Sequence, residues 1–242
     1  MRNLALVWVL AGVAVVLLAA GDGKPPVSTY TDKRDGKVYK IVKIGRQVWF
    51  AENLNYAAEG SGCYRNSEDD CAKYGRLYGW PAALKACPVG WHLSTNKEWD
   101  TLVDYIGGRR TAGTKLKSTS GWNDYKEKSG NGTDEYGFSA LPGGNGFSGF
   151  VFSKTGGNIG YRGFWWSATE GDAGNPGNRK MEYYDGYVGR SPDYRDKIRY
   201  RRNIYMDRGE GPSELDKQFE DRMHEYEDLI KASLFSVRCV AD

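Results

Sequence analysis

Apolar residues along this chain change their spacing most clearly between Tyr74 and Ile106. Ala82, Ala83, Leu84 and Ala86 follow Pro81, whose missing N–H suits the first position of a helix. Pro88 biases Cys87 out of helical geometry and ends that helix. Trp91–His92–Leu93 predicts a short buried strand. Thr95 with Glu98 makes a capping-box pattern. Trp99, Leu102, Val103 and Ile106 then fall at i, i+3, i+4 and i+7, one apolar helical face, and Gly107–Gly108 close it. A helix–strand–helix with two tryptophans turned inward is the expected core nucleus.

Period-two alternation marks other stretches. Val38 to Ile44 alternates, Gly45–Arg46 turns, and Gln47 to Ala51 returns with Val48 and Trp49, which predicts a β-hairpin. Arg109 to Lys128 is polar and predicts a loop. Tyr136 to Leu141 alternates like a strand until Pro142–Gly143–Gly144 stops it, and two Gly-rich hairpins follow to Gly160. Gly163 to Thr169, Met181 to Val188 and Leu234 to Val240 predict three more strands. Between the last two, Leu215, Phe219, Met223, Tyr226 and Ile230 trace one face of an amphipathic helix from about Glu214 to Lys231.

The N-terminus has a targeting pattern. Arg2 precedes a continuous apolar or small run, Leu4 to Ala20. Cleavage after Gly21 sets small residues Ala19 and Gly21 at the required positions, a better fit than cleavage after Ala20. The competing reading is an uncleaved anchor, the only route by which the chain would meet a membrane. Both readings export the remainder. Residues 1–20 are thus a signal peptide or anchor, and 21–36, rich in Pro, Gly and Thr, a linker.

Export shapes the cysteine reading. Cys63, Cys71, Cys87 and Cys239 are an even set in an oxidising compartment, and four cysteines allow three pairings. Cys63 and Cys71 flank a polar loop that can close locally, which leaves Cys87 for Cys239. No CxxC supports a zinc site.

A net charge of +3 is too close to neutral to indicate nucleic acid. Residues 179–208 carry nine Lys/Arg against five Asp/Glu, and residues 213–231 seven acids against three bases. Adjacent segments of opposite charge predict mutual neutralisation rather than a patch for an anionic polymer. Catalytic signatures are missing: no GxSxG elbow, no HExxH, and only two histidines. His92 lies in a core strand and His224 on the amphipathic helix. No catalytic residue and no cofactor is assigned. A calcium site would need hard oxygens, which Asn123, Asp124, Asp134 and Glu135 could supply, with Asn131 nearby. The same residues suit turns. Trp122, Tyr125, Tyr161 and Tyr187 sit in Gly-rich or polar loops and are the candidate ligand-stacking aromatics.

Five blocks carry a family resemblance: DGKVYKIVKIGRQVWFAENLNY, CYRNSEDDCAKYGRLYGWPAALKACPVGWHLSTNKEW, GTDEYGFSALPGG, GFWWSATE and FSVRCVAD. Together, and in this order, they resemble the Fibrobacter succinogenes major paralogous domain over most of residues 35–242. The pattern also looks like the C-type-lectin-like fold shared with formylglycine-generating enzymes, which place a WHLS-like strand before a capped helix. The resemblance implies an exported, disulfide-linked domain without an established activity. A formylglycine-type oxidase would need a free cysteine pair, whereas each cysteine here has a disulfide role. Against the family pattern, residues 190–232 are an insertion. The expected fold is α+β and C-type-lectin-like: short antiparallel strands and hairpins, two core helices, many loops, disulfide links, and the appended helix. The domain spans 37–242. The expected function is a non-catalytic module binding a polysaccharide or cell-surface glycan, with a structural envelope protein or an unrecognised enzyme as alternatives.

Overall fold

The computed structural model describes residues 9–10, 13–14, 28–147, 158–170, 175–191 and 230–242. Most of the targeting segment, part of the Gly-rich hairpins, His224 and nearly all of the 190–232 insertion lie outside the described residues. Within the N-terminal apolar run, Val9–Leu10 (β1) pairs antiparallel with Val13–Ala14 (β2). Of the expected amphipathic helix only its end is described. Ile230 and Lys231 are helical, and Ile230 is buried in a core cluster.

Ser28–Thr31 (β3), Val38–Ile44 (β4) and Gln47–Phe50 (β5) run as an antiparallel meander. The β4–β5 hairpin matches its sequence pattern, whereas β3 lies in the stretch expected to be linker. Its segment STYT has one large apolar residue, Tyr30, whose ring sits 5.3 Å from Trp91 and 5.7 Å from Phe50. Tertiary contact makes this strand, not local alternation. Ser61–Gly62 (β6) pairs with Leu77–Tyr78 (β7), enclosing a 3-10 turn and helix Glu68–Tyr74 (α1). The Ser67 hydroxyl caps α1 by accepting from the Asp70 N–H.

The core nucleus forms as its spacing predicts. Trp80–Ala86 (α2) leads to Trp91–Leu93 (β8), and then to Asn96–Tyr105 (α3) with both halves of the Thr95–Glu98 capping box made. Ala112–Leu116 (α4) is a helix where a polar loop was expected, because Ala112 and Leu116 are fully buried. The later elements are Gly146–Phe147 (β9), Arg162–Glu170 (β10), Pro176–Glu182 (β11), Val188–Ser191 (β12), Ser233–Leu234 (β13) and Cys239–Ala241 (β14). The architecture is α+β with small antiparallel sheets. The largest sheet is ordered β3-β4-β5-β14-β8, and a second is β10-β11-β12.

Neighbouring residues on these strands point to opposite faces, and each face has its own core. Trp49 and Trp165 enter one cluster with Trp99, Leu102, Val103 and Ile106 of α3, while Phe50 and Trp166 enter another with Tyr78, Trp91 and Phe235. Trp99 meets Trp49 at 5.1 Å and Trp165 at 6.2 Å between ring centroids, so α3 joins the two sheets. Arg179 of β11 reinforces the joint. Its guanidinium donates to the Asn96 carbonyl at 3.0 Å and to Asp100 Oδ1 at 2.9 Å.

Three expected strands differ. Tyr136 to Leu141 forms no strand, only a single parallel bridge from Ala140 to Lys117. Ser139 takes φ 50°, incompatible with an extended run. Met181 to Val188 is divided: Met181 and Glu182 end β11, Val188 begins β12, and Tyr183 to Tyr187 connect them. The terminal strand is divided likewise, since Phe235 and Ser236 make only isolated bridges to Tyr78 and Trp165.

The disulfides are Cys63–Cys71 and Cys87–Cys239, separated by 8 and 152 residues. Loop-closure entropy favours the longer link by about 5 against about 2.5 kcal/mol. Cys87→Ser should therefore lower the urea midpoint more than Cys63→Ser. Equal losses would show that the cross-links do not act through the unfolded chain.

Candidate functional site

One surface gathers aromatic side chains from three loops. The β10–β11 ladder ends at Arg162 opposite Glu182, and just beyond it the Tyr183 N–H donates to the Tyr161 carbonyl at 2.9 Å. Lys117 braces the turn that follows. Its buried ammonium donates to the carbonyls of Glu182 at 3.2 Å and Asp185 at 3.0 Å. Burial lowers its pKa, with the Asp185 charge opposing. The third loop arrives through Asn123, whose N–H donates to the Gly160 carbonyl at 2.8 Å, and through the tight Tyr125–Lys128 turn.

Two glycines make this approach possible. At Gly160, φ is +80° and an added Cβ would stand 2.7 Å from the Asn123 amide oxygen. At Gly130 it would stand 2.1 Å from the Asn123 carbonyl and 2.7 Å from that of Tyr183. The three loops thereby bring Tyr125, Tyr161, Tyr183 and Tyr184 into one group. Tyr183 lies at its centre, with ring centroids 5.5 Å from Tyr125, 5.2 Å from Tyr161 and 5.4 Å from Tyr184. Tyr125, Tyr161 and Tyr184 are 38%, 49% and 48% exposed.

A charged cluster lies beside the rings. Glu182 is nearly buried, 2.7 Å from Lys180 Nζ and 3.6 Å from Arg162 Nε. Burial works to raise its pKa, but hydrogen bonds from Lys180 and Tyr184 outweigh it and the pKa falls. The bond to Glu182, with burial second, raises the Tyr184 phenol to about 12.

The candidate aromatics divide. Tyr125 and Tyr161 belong to the group. Trp122 does not: it is 4% exposed, sits in the main core cluster, and donates from Nε1 to the Ala140 carbonyl at 3.0 Å. Its polar neighbours in sequence conceal a core ring. Tyr187 is exposed, but its contact is the Arg109 guanidinium, 5.3 Å from the ring centre. Tyr183 and Tyr184 fall inside the stretch that alternation predicts as a strand, although Asp185–Gly186 after them is a turn signal.

The calcium candidates are not gathered into a site. Asp134 is buried and committed to Ser139, accepting from its N–H at 2.7 Å and its hydroxyl at 2.6 Å. Asn131 accepts from the Trp122 N–H. Glu135 is exposed and accepts from the Thr133 hydroxyl, and Asp124 is exposed. Among the described residues, the one close group of potential metal ligands is Cys63, Glu68 and Cys71, and its cysteines are a disulfide.

The family model of the Fibrobacter succinogenes major domain matches residues 42–241. The chain belongs to that family. No curated protein and no solved structure matches it. The family match takes in the largest sheet from within β4 onward, the whole of β10-β11-β12, both disulfides and all four grouped tyrosines. Two formed disulfides suit an oxidising compartment. Among the described residues no helix is long and apolar enough to cross a membrane.

Within this family domain His92 has a titration of its own. Its Nδ1 lies 2.7 Å from Asp242 Oδ1 and its Nε2 2.7 Å from Glu98 Oε1. Burial lowers its pKa, but the hydrogen bonds and charges of Asp242 and Glu98 outweigh that and raise it. A raised folded-state pKa adds stability that is complete below the unfolded value of about 6.5 and is lost as pH rises through the folded one. The melting-temperature gap between wild type and His92→Asn should therefore be larger at pH 6 than at pH 9. A gap independent of pH would refute the charged pairing.

Proposed function

We propose that this chain is an exported, non-catalytic binding module of C-type-lectin-like fold that holds carbohydrate on its tyrosine surface. The observation that carries the reading is the group Tyr125, Tyr161, Tyr183 and Tyr184, in which three exposed rings are held in place by contacts with one another and with the partly buried Tyr183. Tyrosine offers a flat apolar face to a pyranose ring and a polar tip to its hydroxyls, with little side-chain entropy to lose. Exposed aromatics on loops fixed to a rigid scaffold are a common recognition device.

Other features support the same reading. Arg2 with the apolar run to Ala20 favours export, as do the disulfides. The C-type-lectin-like assignment is supported by the loop-rich α+β architecture and by β14, which returns between β5 and β8 and is tied to the end of α2 through Cys87–Cys239. His92 is engaged by two carboxylates and the cysteines by each other, so neither offers a nucleophile.

Affinity electrophoresis against a panel of soluble polysaccharides tests the reading. Tyr161→Ala or Tyr184→Ala should weaken retention about tenfold, the worth of one aromatic contact, with little change in melting temperature. EDTA should leave retention intact. Trp122→Ala should instead cost about 3–5 kcal/mol of stability. If no polysaccharide retards the folded protein, the carbohydrate reading is wrong. If EDTA abolishes retention, stacking is not its basis.

A further inference from the structure

The geometry points to an uncharged polysaccharide as the ligand of the tyrosine surface, with Asn123 as the residue that reads its hydroxyls. This rests on the carbohydrate reading and narrows it.

Charge balance is the first ground. The segments that carry the four rings hold Lys126, Lys128, Arg162 and Lys180 beside Asp124, Glu127, Glu182 and Asp185, four bases against four acids. Several are already engaged. Lys180 and Arg162 converge on Glu182, Asp185 accepts from the Tyr187 N–H, and the Lys126 ammonium lies 5.2 Å from the Tyr125 ring centre. Beneath the surface, Lys117 is spent on two carbonyls. An anionic polymer such as a uronate chain needs uncompensated cations, as in bidentate Arg–carboxylate recognition. Here Arg162 and Lys180 share the Glu182 carboxylate. A neutral sugar requires no such charge and gains from the exposed ring faces.

Asn123 is the second ground. Its backbone N–H is bound to Gly160, yet among the described residues no group hydrogen-bonds its half-buried side-chain amide. That amide lies against Gly160, the residue before Tyr161, and two residues before Tyr125. An amide presents a donor and an acceptor side by side, the pair that two vicinal hydroxyls complement. Partial burial pre-orients the group, so a sugar that stacks on Tyr161 meets a hydrogen-bonding partner already in position.

Retention of the full-length protein is to be compared on neutral polysaccharides (a mixed-linkage β-glucan, a xylan without acidic branches, a mannan) and on anionic ones (polygalacturonate, alginate), at 20 and 500 mM NaCl. The expected result is retention by at least one neutral polymer that salt does not weaken, since no screened ion pair contributes. Asn123→Ala and Asn123→Asp should each weaken it about tenfold, the equivalent of one to two hydrogen bonds, with melting temperature unchanged. Salt-sensitive preference for the anionic polymers would overturn the uncharged ligand while leaving carbohydrate binding in place. Undiminished neutral binding by both Asn123 variants would overturn the role of that residue. Retention by no polymer of either class would remove the carbohydrate reading itself, and this inference with it.

Discussion

The guanidinium of Arg238 is the contact on which the rest of the domain depends. It is fully buried and donates from Nε to Asn53 Oδ1 at 2.8 Å, from Nη1 to the carbonyls of Phe50 and Phe138 at 2.9 and 2.6 Å, and from Nη2 to the Ser139 carbonyl at 2.8 Å. Burial lowers its pKa to about 9, which leaves it charged at neutral pH. Carbonyl dipoles and the Phe138 ring, 4.4 Å away, replace the water it has lost. Asn53 extends the node. Its amide oxygen also accepts from Trp165 Nε1 and its amide nitrogen donates to the Tyr74 carbonyl and the Ser236 hydroxyl. The N-terminal hairpin, α1, the 136–141 segment, β10 and the C-terminal strand meet at these two side chains.

Short elements explain why such a node is needed. Many of the strands are two to four residues long, so ladders satisfy few of the backbone groups that folding takes from water. Buried bases take over. Arg238 serves the 136–141 segment, Arg179 serves the start of α3, and Lys117 serves the turn after β11. Each long cation reaches two or more oxygen acceptors on segments far away in sequence. The planar fork of arginine suits the two crowded sites, and the single ammonium of lysine suits the turn. The same bracing that completes the core holds Tyr183 and Tyr184 in position at the surface.

The sequence was informative where local chemistry agreed with tertiary packing. The capping box and apolar face of α3 and the alternation of β4 and β5 describe contacts within a few residues, and with only four cysteines one local pair leaves a single partner for each of the others. Tyr136 to Leu141 shows the opposite case. Its alternation is real, with Phe138 and Ala140 buried, but Ser139 bends and its carbonyl goes to Arg238, so the pattern has no strand. Trp122 fails for a related reason. Every immediate neighbour is polar or Gly, yet Ala140 and Lys117 enclose the ring.

By itself the sequence determined the family, the helix–strand–helix nucleus and the first hairpin, because each depends on spacing along the chain, and it singled out the local Cys63–Cys71 link that leaves Cys87 for Cys239. Only the tertiary structure decided which aromatics are core and which are surface. Tyr125, Tyr161 and the Tyr183–Tyr184 pair are up to 59 residues apart in sequence and become neighbours through the β10–β11 ladder and the glycines at 130 and 160. Exposure of a ring is set by what folds over it, and no local pattern encodes the residues that arrive from elsewhere in the chain.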